Sequence, residues 1–288
     1  MSEYQYYEFQ AVDRPLDAAG RDALRAISTR ARITATSFVN SYVWGDLKAD
    51  PMRLLERYFD LFFYLANWGE RRFAMRLPRR LVDVAALERF GIDPGLAVIR
   101  LPGDHVLIDI RRPMDEVGVD EEEWDEGGGW LGALAPLRAD LLDGDLRLFT
   151  LLWLAEVGTG ARRDGDAMPS PGLAPLSGAL AALARLLGIG DALLEAAGGD
   201  ETLADRARLP PEAVRDAIRA LPEDEKLAFL LHLHAGDDPH LGVALRRRCR
   251  EEAGAPRPAS RTPRTAGELR AQARRIEAEH RRIAAERE

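Results

Sequence analysis

A chain of 288 residues with 46% hydrophobic and 31% charged residues has the apolar material to bury a core, which excludes a wholly disordered or low-complexity polymer. At about 100 to 200 residues per domain, that length predicts one large or two modest domains. The balance of 40 Lys+Arg against 48 Asp+Glu, net −8, describes a mildly acidic protein rather than a general polyanion binder.

Tyr4 to Ala11 reads as an aromatic, extended segment, stopped by Asp13-Arg14-Pro15. Asp17 can cap a helix in which Leu24 and Ile27 recur at helical spacing. Ile33 to Trp44 alternates with period two. Phe38, Asn40, Tyr42 and Trp44 fall on one side and Val39, Ser41 and Val43 on the other, which predicts a strand. Asp50-Pro51 starts a helix whose apolar face runs from Met52 through Phe62 and Phe63 to Leu65. Arg71 to Leu77 alternates again, and a short helix is expected over Leu81 to Phe90. Ala97 to Leu101 and His105 to Arg111 then read as a hairpin around Pro102-Gly103-Asp104. The order β-α-β-α-β-α-β-β predicts an α+β domain over residues 1–112, with the split β-α-β, ferredoxin-like plan as one arrangement that fits.

Residues 113–129 are dense in carboxylates and end in Gly127-Gly128-Gly129, the signature of an exposed connector. From 130 to 254 the pattern is helical only, giving an all-α domain. Its clearest helices are Leu131 to Leu142, Leu146 to Val157, Leu176 to Leu187, Asp191 to Ala197, Pro211 to Leu221, Pro222 to Ala235 and His240 to Glu252. Residues 255–264 are rich in Pro and Arg and read as a linker. In 265–288, a charged amphipathic helix, Leu269, Ile276 and Ile283 recur every seventh residue, with Ala266, Ala273 and His280 at the intervening seam positions. That is the narrow stripe of a coiled coil, and a frayed, solvated helix is the alternative. The pattern still runs at Glu288, which raises the expectation of a longer parent sequence and leaves open whether Glu288 is the native end.

Cys249 is the sole cysteine, so no intramolecular disulfide can form. The opening MSEYQYYEFQ has neither the charged nor the apolar region of a signal peptide, and no apolar run reaches the roughly 20 residues that span a bilayer. A cytoplasmic protein without a membrane partner is expected.

The N-terminal run Glu3-Tyr4-Gln5-Tyr6-Tyr7-Glu8-Phe9-Gln10-Ala11-Val12-Asp13-Arg14-Pro15-Leu16 resembles the opening of a bacterial protein family of unassigned activity. Ser37-Phe38-Val39-Asn40-Ser41-Tyr42-Val43-Trp44-Gly45-Asp46 and Ala66-Asn67-Trp68-Gly69 are similar to its later blocks. The resemblance covers about the first quarter of the chain. It implies a bacterial, cytoplasmic protein and transfers no catalytic residue.

The most distinctive side chains in the N-terminal half are polar and aromatic together. Asn40, Tyr42, Trp44, Asn67 and Arg72 are the ligand-pocket candidates: on one exposed sheet face they could line a pocket or stack bases, and under a helix they would be core and rim. His232, His234, Asp237, Asp238 and His240 carry metal-type donors, but helix residues two apart do not share a face. Arginines around Cys249 could lower its thiol pKa, although no partner base is adjacent in sequence. Gly127-Gly128-Gly129 lacks the following Lys-Ser/Thr of a phosphate loop. No hydrolase, zinc-peptidase, NTPase or kinase signature occurs, so no catalytic residue, cofactor or metal is assigned.

These observations favour a non-catalytic interaction or scaffold protein that meets protein partners through its surfaces and Arg-rich helical tail. An enzyme or small-ligand sensor using an N-terminal cleft is the alternative. Single-stranded nucleic-acid binding is a second, disfavoured by the acidic balance. Substrate, partner identity and oligomeric state stay open at this level.

Overall fold

The computed structural model describes residues 3–112, 128–169, 173–198, 209–254 and 263–286. The acidic connector from 113 to 127 and the Pro/Arg linker from 255 to 262 lie outside the described residues. The fold is mixed α+β and forms two compact units. One comprises residues 1–139 and 178–187, the other residues 140–177 and 188–288.

The first unit is built on a seven-stranded sheet of order β2-β3-β1-β4-β5-β7-β6, with every adjacent pair antiparallel. Its strands are β1 (Gln5–Gln10), β2 (Arg32–Ile33), β3 (Ser37–Tyr42), β4 (Leu61–Ala66), β5 (Arg71–Pro78), β6 (Ala97–Arg100) and β7 (His105–Arg112). Helices α1 (Ala18–Ile27), α2 (Pro51–Tyr58) and α3 (Val84–Glu88) follow β1, β3 and β5, and α7 (Gly178–Leu187) also belongs to this unit. Because β1 is antiparallel to both β3 and β4, those two are parallel to each other, joined through α2 with β1 between them.

Strand alternation puts Tyr7, Phe9, Phe38, Phe62 and Tyr64 on one face, where Leu24 of α1 and Met52 and Leu55 of α2 join them in a single core. Phe9 stacks on Phe62 at 4.5 Å and meets Phe38 edge-on at 5.7 Å, geometries that aromatic quadrupoles favour. On the other face Phe63 stacks on Trp130 of α4 (Trp130–Leu134), with rings 5.9 Å apart and 10° from coplanar. The Arg71 and Arg185 guanidinium carbons lie 5.5 and 4.6 Å from that indole, cation–π contacts that plug the sheet.

Three expectations are corrected here. The helix expected from Met52 to Leu65 ends at Tyr58: Phe59 is extended, the Asp60 N–H donates to Gln10 O at 2.9 Å, and the next apolar residues form β4. All six β4 residues are buried, and a strand buried on both faces has no alternation to distinguish it from helix. The strand expected from Ile33 to Trp44 is two strands, because the Thr34 and Ser37 hydroxyls lie 2.7 Å apart and close a turn, with the Thr36 N–H donating to Thr34 Oγ1. Pro136 divides the expected Leu131 to Leu142 helix into α4 and α5 (Pro136–Leu142), since proline has no N–H for the helical ladder.

A buried ionic knot fixes the β1–α1 loop. The Asp60 carboxylate accepts from the Val12 and Asp13 N–H groups at 2.7 and 2.9 Å and from the Arg76 guanidinium at 2.8 Å. Arg138 of α5 donates to Asp13 at 2.6 Å and to Arg76 O at 2.8 Å.

The second unit is helical. In α6 (Arg147–Gly158) every residue from Leu148 to Val157 is buried. Against it and α8 (Asp191–Ala197) lies the N-terminal half of the last helix, α12 (Ala266–Ala285), whose Ala266, Leu269 and Ala273 are buried. Thr265 and Glu268 form a capping box, and Arg264 donates to the last carbonyls of α8 at Ala196, Ala197 and Gly198. The first half of the seam expected to form a coiled coil is therefore spent inside the fold. Ile276 and Ile283 are half-buried, and His280 is exposed 3.8 Å from Glu195.

Among the described residues this unit has three further helices: α9 (Pro211–Ala220), α10 (Glu223–Ala235) and α11 (Leu241–Glu252). Among their described residues and connections, only Ala217, Leu221, His240 and Cys249 are buried. Ion pairs assist, Arg248 donating to Glu225 at 2.8 Å and to Glu252 at 2.9 Å. Among the described residues no helix is long and apolar enough to cross a membrane.

Candidate functional site

The five pocket candidates occupy different environments. Asn40 on β3 is buried, and its amide donates to Ser28 Oγ at 2.9 Å. Tyr42, two residues on, meets the Tyr7 ring edge-on at 5.8 Å. Trp44 lies beyond the strand and is 75% exposed. Asn67 sits in the β4–β5 turn, where its Oδ1 accepts from the Tyr4 N–H at 3.0 Å and its own N–H donates to Tyr4 O at 3.0 Å. Arg72 on β5 forks onto Asp109 through Nε at 2.6 Å and Nη2 at 2.7 Å. The fold thus sets Asn40 and Tyr42 near Tyr7, and it places Arg72 in a separate cluster.

That cluster is a bidentate ion pair on a nearly buried carboxylate. Burial raises the Asp109 pKa, but the hydrogen bonds and charges of Arg72 and Arg111 outweigh it and hold the carboxyl below its usual range. A second network joins the Tyr7 hydroxyl to Asp46 at 2.6 Å and to Gln5 Oε1 at 2.9 Å, while Tyr64 donates to the same Gln5 oxygen at 3.0 Å. Burial first, then hydrogen bonding to Asp46, pushes the Tyr7 pKa far above the usual phenol value. These tyrosines stay protonated and act as structural donors.

The described residues also form a shallow depression of about 360 Å³ on the β2–β3–β1 part of the sheet, lined by Tyr4, Tyr6, Arg30, Arg32, Asn40 and Ser41. The Tyr6 hydroxyl donates to Glu8 at 3.0 Å. Burial raises the pKa of both groups, so the phenol is a hydrogen-bond donor rather than a base. Two arginines and two tyrosines can hold an anion or a ring, but the lining pairs no nucleophile with a base.

The C-terminal candidates also resolve into local roles. His232 Nδ1 lies 3.2 Å from Asp237 Oδ1, both exposed, and among the described residues no group of three His, Cys, Asp or Glu could hold a metal ion. Cys249 is buried, and burial pushes its thiol pKa up, with Arg248 only partly opposing. The arginines around it therefore do not lower the thiol pKa, because desolvation of a thiolate costs more than Arg248 returns.

The feature missed at the sequence level is α10. Leu227, Leu230, Leu231 and Leu233 are 56, 61, 59 and 68% exposed, and no residue of the helix is buried. The signal was available: EDEKLAFLLHLHA is apolar on most of its circumference, and a helix of that kind normally lies inside a structure.

No protein-family model, curated protein or solved structure matches the chain.

Proposed function

We propose that this protein is a non-catalytic interaction protein whose contact surface is centred on α10. The observation that carries this reading is the row of leucines that α10 leaves in water. Contiguous exposed apolar surface is rare on a protein that works alone and marks contact sites where it occurs. Burial of the seam residues Ala266, Leu269 and Ala273 in the first half of α12 favours α10 over the Arg-rich tail as the contact. We also read residues 5–66 as a ferredoxin-like module enlarged by β5, β6 and β7. The order β2-β3-β1-β4 and the placement of α1 and α2 on one face support this.

The test is affinity purification of the full chain from its native cells, wild type beside Leu230→Glu/Leu231→Glu. A stoichiometric companion, a second copy or another protein, is expected with the wild type and lost with the variant. Equal companions with both versions, or none with either, overturn the reading. A second reading, capture of a small anionic or aromatic ligand, is favoured by the arginine- and tyrosine-lined depression. It predicts a thermal-shift response abolished by Arg30→Ala/Arg32→Ala; a response unchanged in that variant removes it.

A further inference from the structure

The pattern of α10 specifies what covers it. At helical spacing Leu227, Leu230, Leu231 and His234 form one stripe, while Glu225 lies on another side, paired with Arg248 of α11 at 2.8 Å. The helix has polarity: Glu223, Asp224 and Glu225 fill its first turn and His232 and His234 lie in its last, and of these Glu223 and His234 fall on the side of the stripe.

A two-fold axis makes residue i of one copy meet residue j of the other, and j meet i. An axis crossing α10 between Ala228 and Phe229 pairs Leu227 with Leu230 in both directions. The same axis sets Glu223 of one copy beside His234 of the other. The apolar centre and the polar ends thus satisfy one symmetry operation. A parallel pairing would bring the acidic first turns together, and like charges in register oppose association.

Resting on the interaction reading above, we infer that α10 is the two-fold contact of an antiparallel homodimer. The partner is a second copy of this chain, Leu227 packs against Leu230 across the axis, and Glu223–His234 pairs close each end. This surface also completes a three-helix segment that buries little of its own apolar material.

Sedimentation of the full chain at micromolar concentration should give twice the 31.9 kDa chain mass, and Leu230→Glu should give the single-chain mass. Disulfide trapping reads the register. Separately prepared Leu227→Cys and Leu230→Cys proteins should cross-link efficiently only when mixed, and this needs no disruptive charge in the helix. A single-chain mass for the wild type, a dimer that survives Leu230→Glu, or preferential cross-linking of Leu227→Cys to itself overturns the proposal. If the wild type is a single chain but Leu230→Glu/Leu231→Glu still loses a different companion in the purification, only the second-copy assignment falls. If no companion is lost either, the interaction reading falls with it.

Discussion

The sheet of the first unit and the α9–α11 segment of the second use similar apolar residues with opposite results. In the sheet, β4 is buried along its whole length and Phe9, Phe62 and Phe63 have no exposed surface. In α10, no residue is buried although Leu227 to Leu231 is an unbroken apolar run. Burial depends on whether a neighbouring element supplies a matching surface. For β4 the neighbours are β1 and β5, with α2 on one face and Trp130 on the other. For α10 they are two helices with largely polar exteriors, joined to it by the Arg248–Glu225 ion pair and by the hydrogen bond from Lys226 to Arg219 O. The sheet is thus complete within one chain, and α10 retains apolar surface for a contact outside it.

The largest effect should follow truncation in the sheet. Phe62→Ala removes a ring stacked on Phe9 and is expected to cost about 4 kcal/mol, read by denaturant unfolding. A cost below about 1 kcal/mol would mean that the sheet core is looser than its packing indicates.

Asp109→Ala should cost about 3 kcal/mol, because it leaves Arg72 without its carboxylate in a partly buried position. The acid dependence has a definite sign. Asp109 has a folded pKa below its unfolded value, so its contribution is complete above the ordinary carboxylate pKa near about 3.9. That contribution is lost as pH falls from there through the depressed folded value. Asp109→Asn should therefore flatten the acid limb of the stability profile, and an unchanged limb would assign it to other carboxylates.

Leu269→Ala should cost about 3 kcal/mol and lower the melting temperature, since α12 docks through this fully buried residue. A purely solvated tail would show no change. The smallest effect on folding belongs to α10: Leu227→Ala should alter the stability of the single chain by less than about 0.5 kcal/mol while weakening association. A large stability loss without any change in association would make α10 part of the internal core.

Much of the architecture was legible because local chemistry agreed with it. Asp50 accepts from the Met52 N–H and Pro51 opens α2, as the Asp-Pro pair predicts. Phe73 and Met75 alternate against Arg72 and Arg76 along β5, and Gly103 turns the β6–β7 hairpin with positive φ. What was hidden depended on distant partners. The β4 run carries no period, so only pairing with β1 and β5 makes it a strand. Asp60 looks like an ordinary helix-end residue until Arg76 and the Val12 and Asp13 N–H groups converge on it. The candidate site was legible only in part. Asn40, Tyr42 and Arg72 are distinctive residues, but their partners Ser28, Tyr7 and Asp109 lie elsewhere in the sequence. For α10 the composition was visible, and its exposure required the arrangement of α9 and α11.

The contrast between sheet and helix can be measured in one hydrogen-exchange experiment on the full chain across a range of protein concentrations. Amides of β1, β4 and β5 should be protected equally at every concentration, and those of residues 223–235 should gain protection as concentration rises. Protection of residues 223–235 that is the same at all concentrations would contradict the account, because the helix would then owe its stability to its own chain alone.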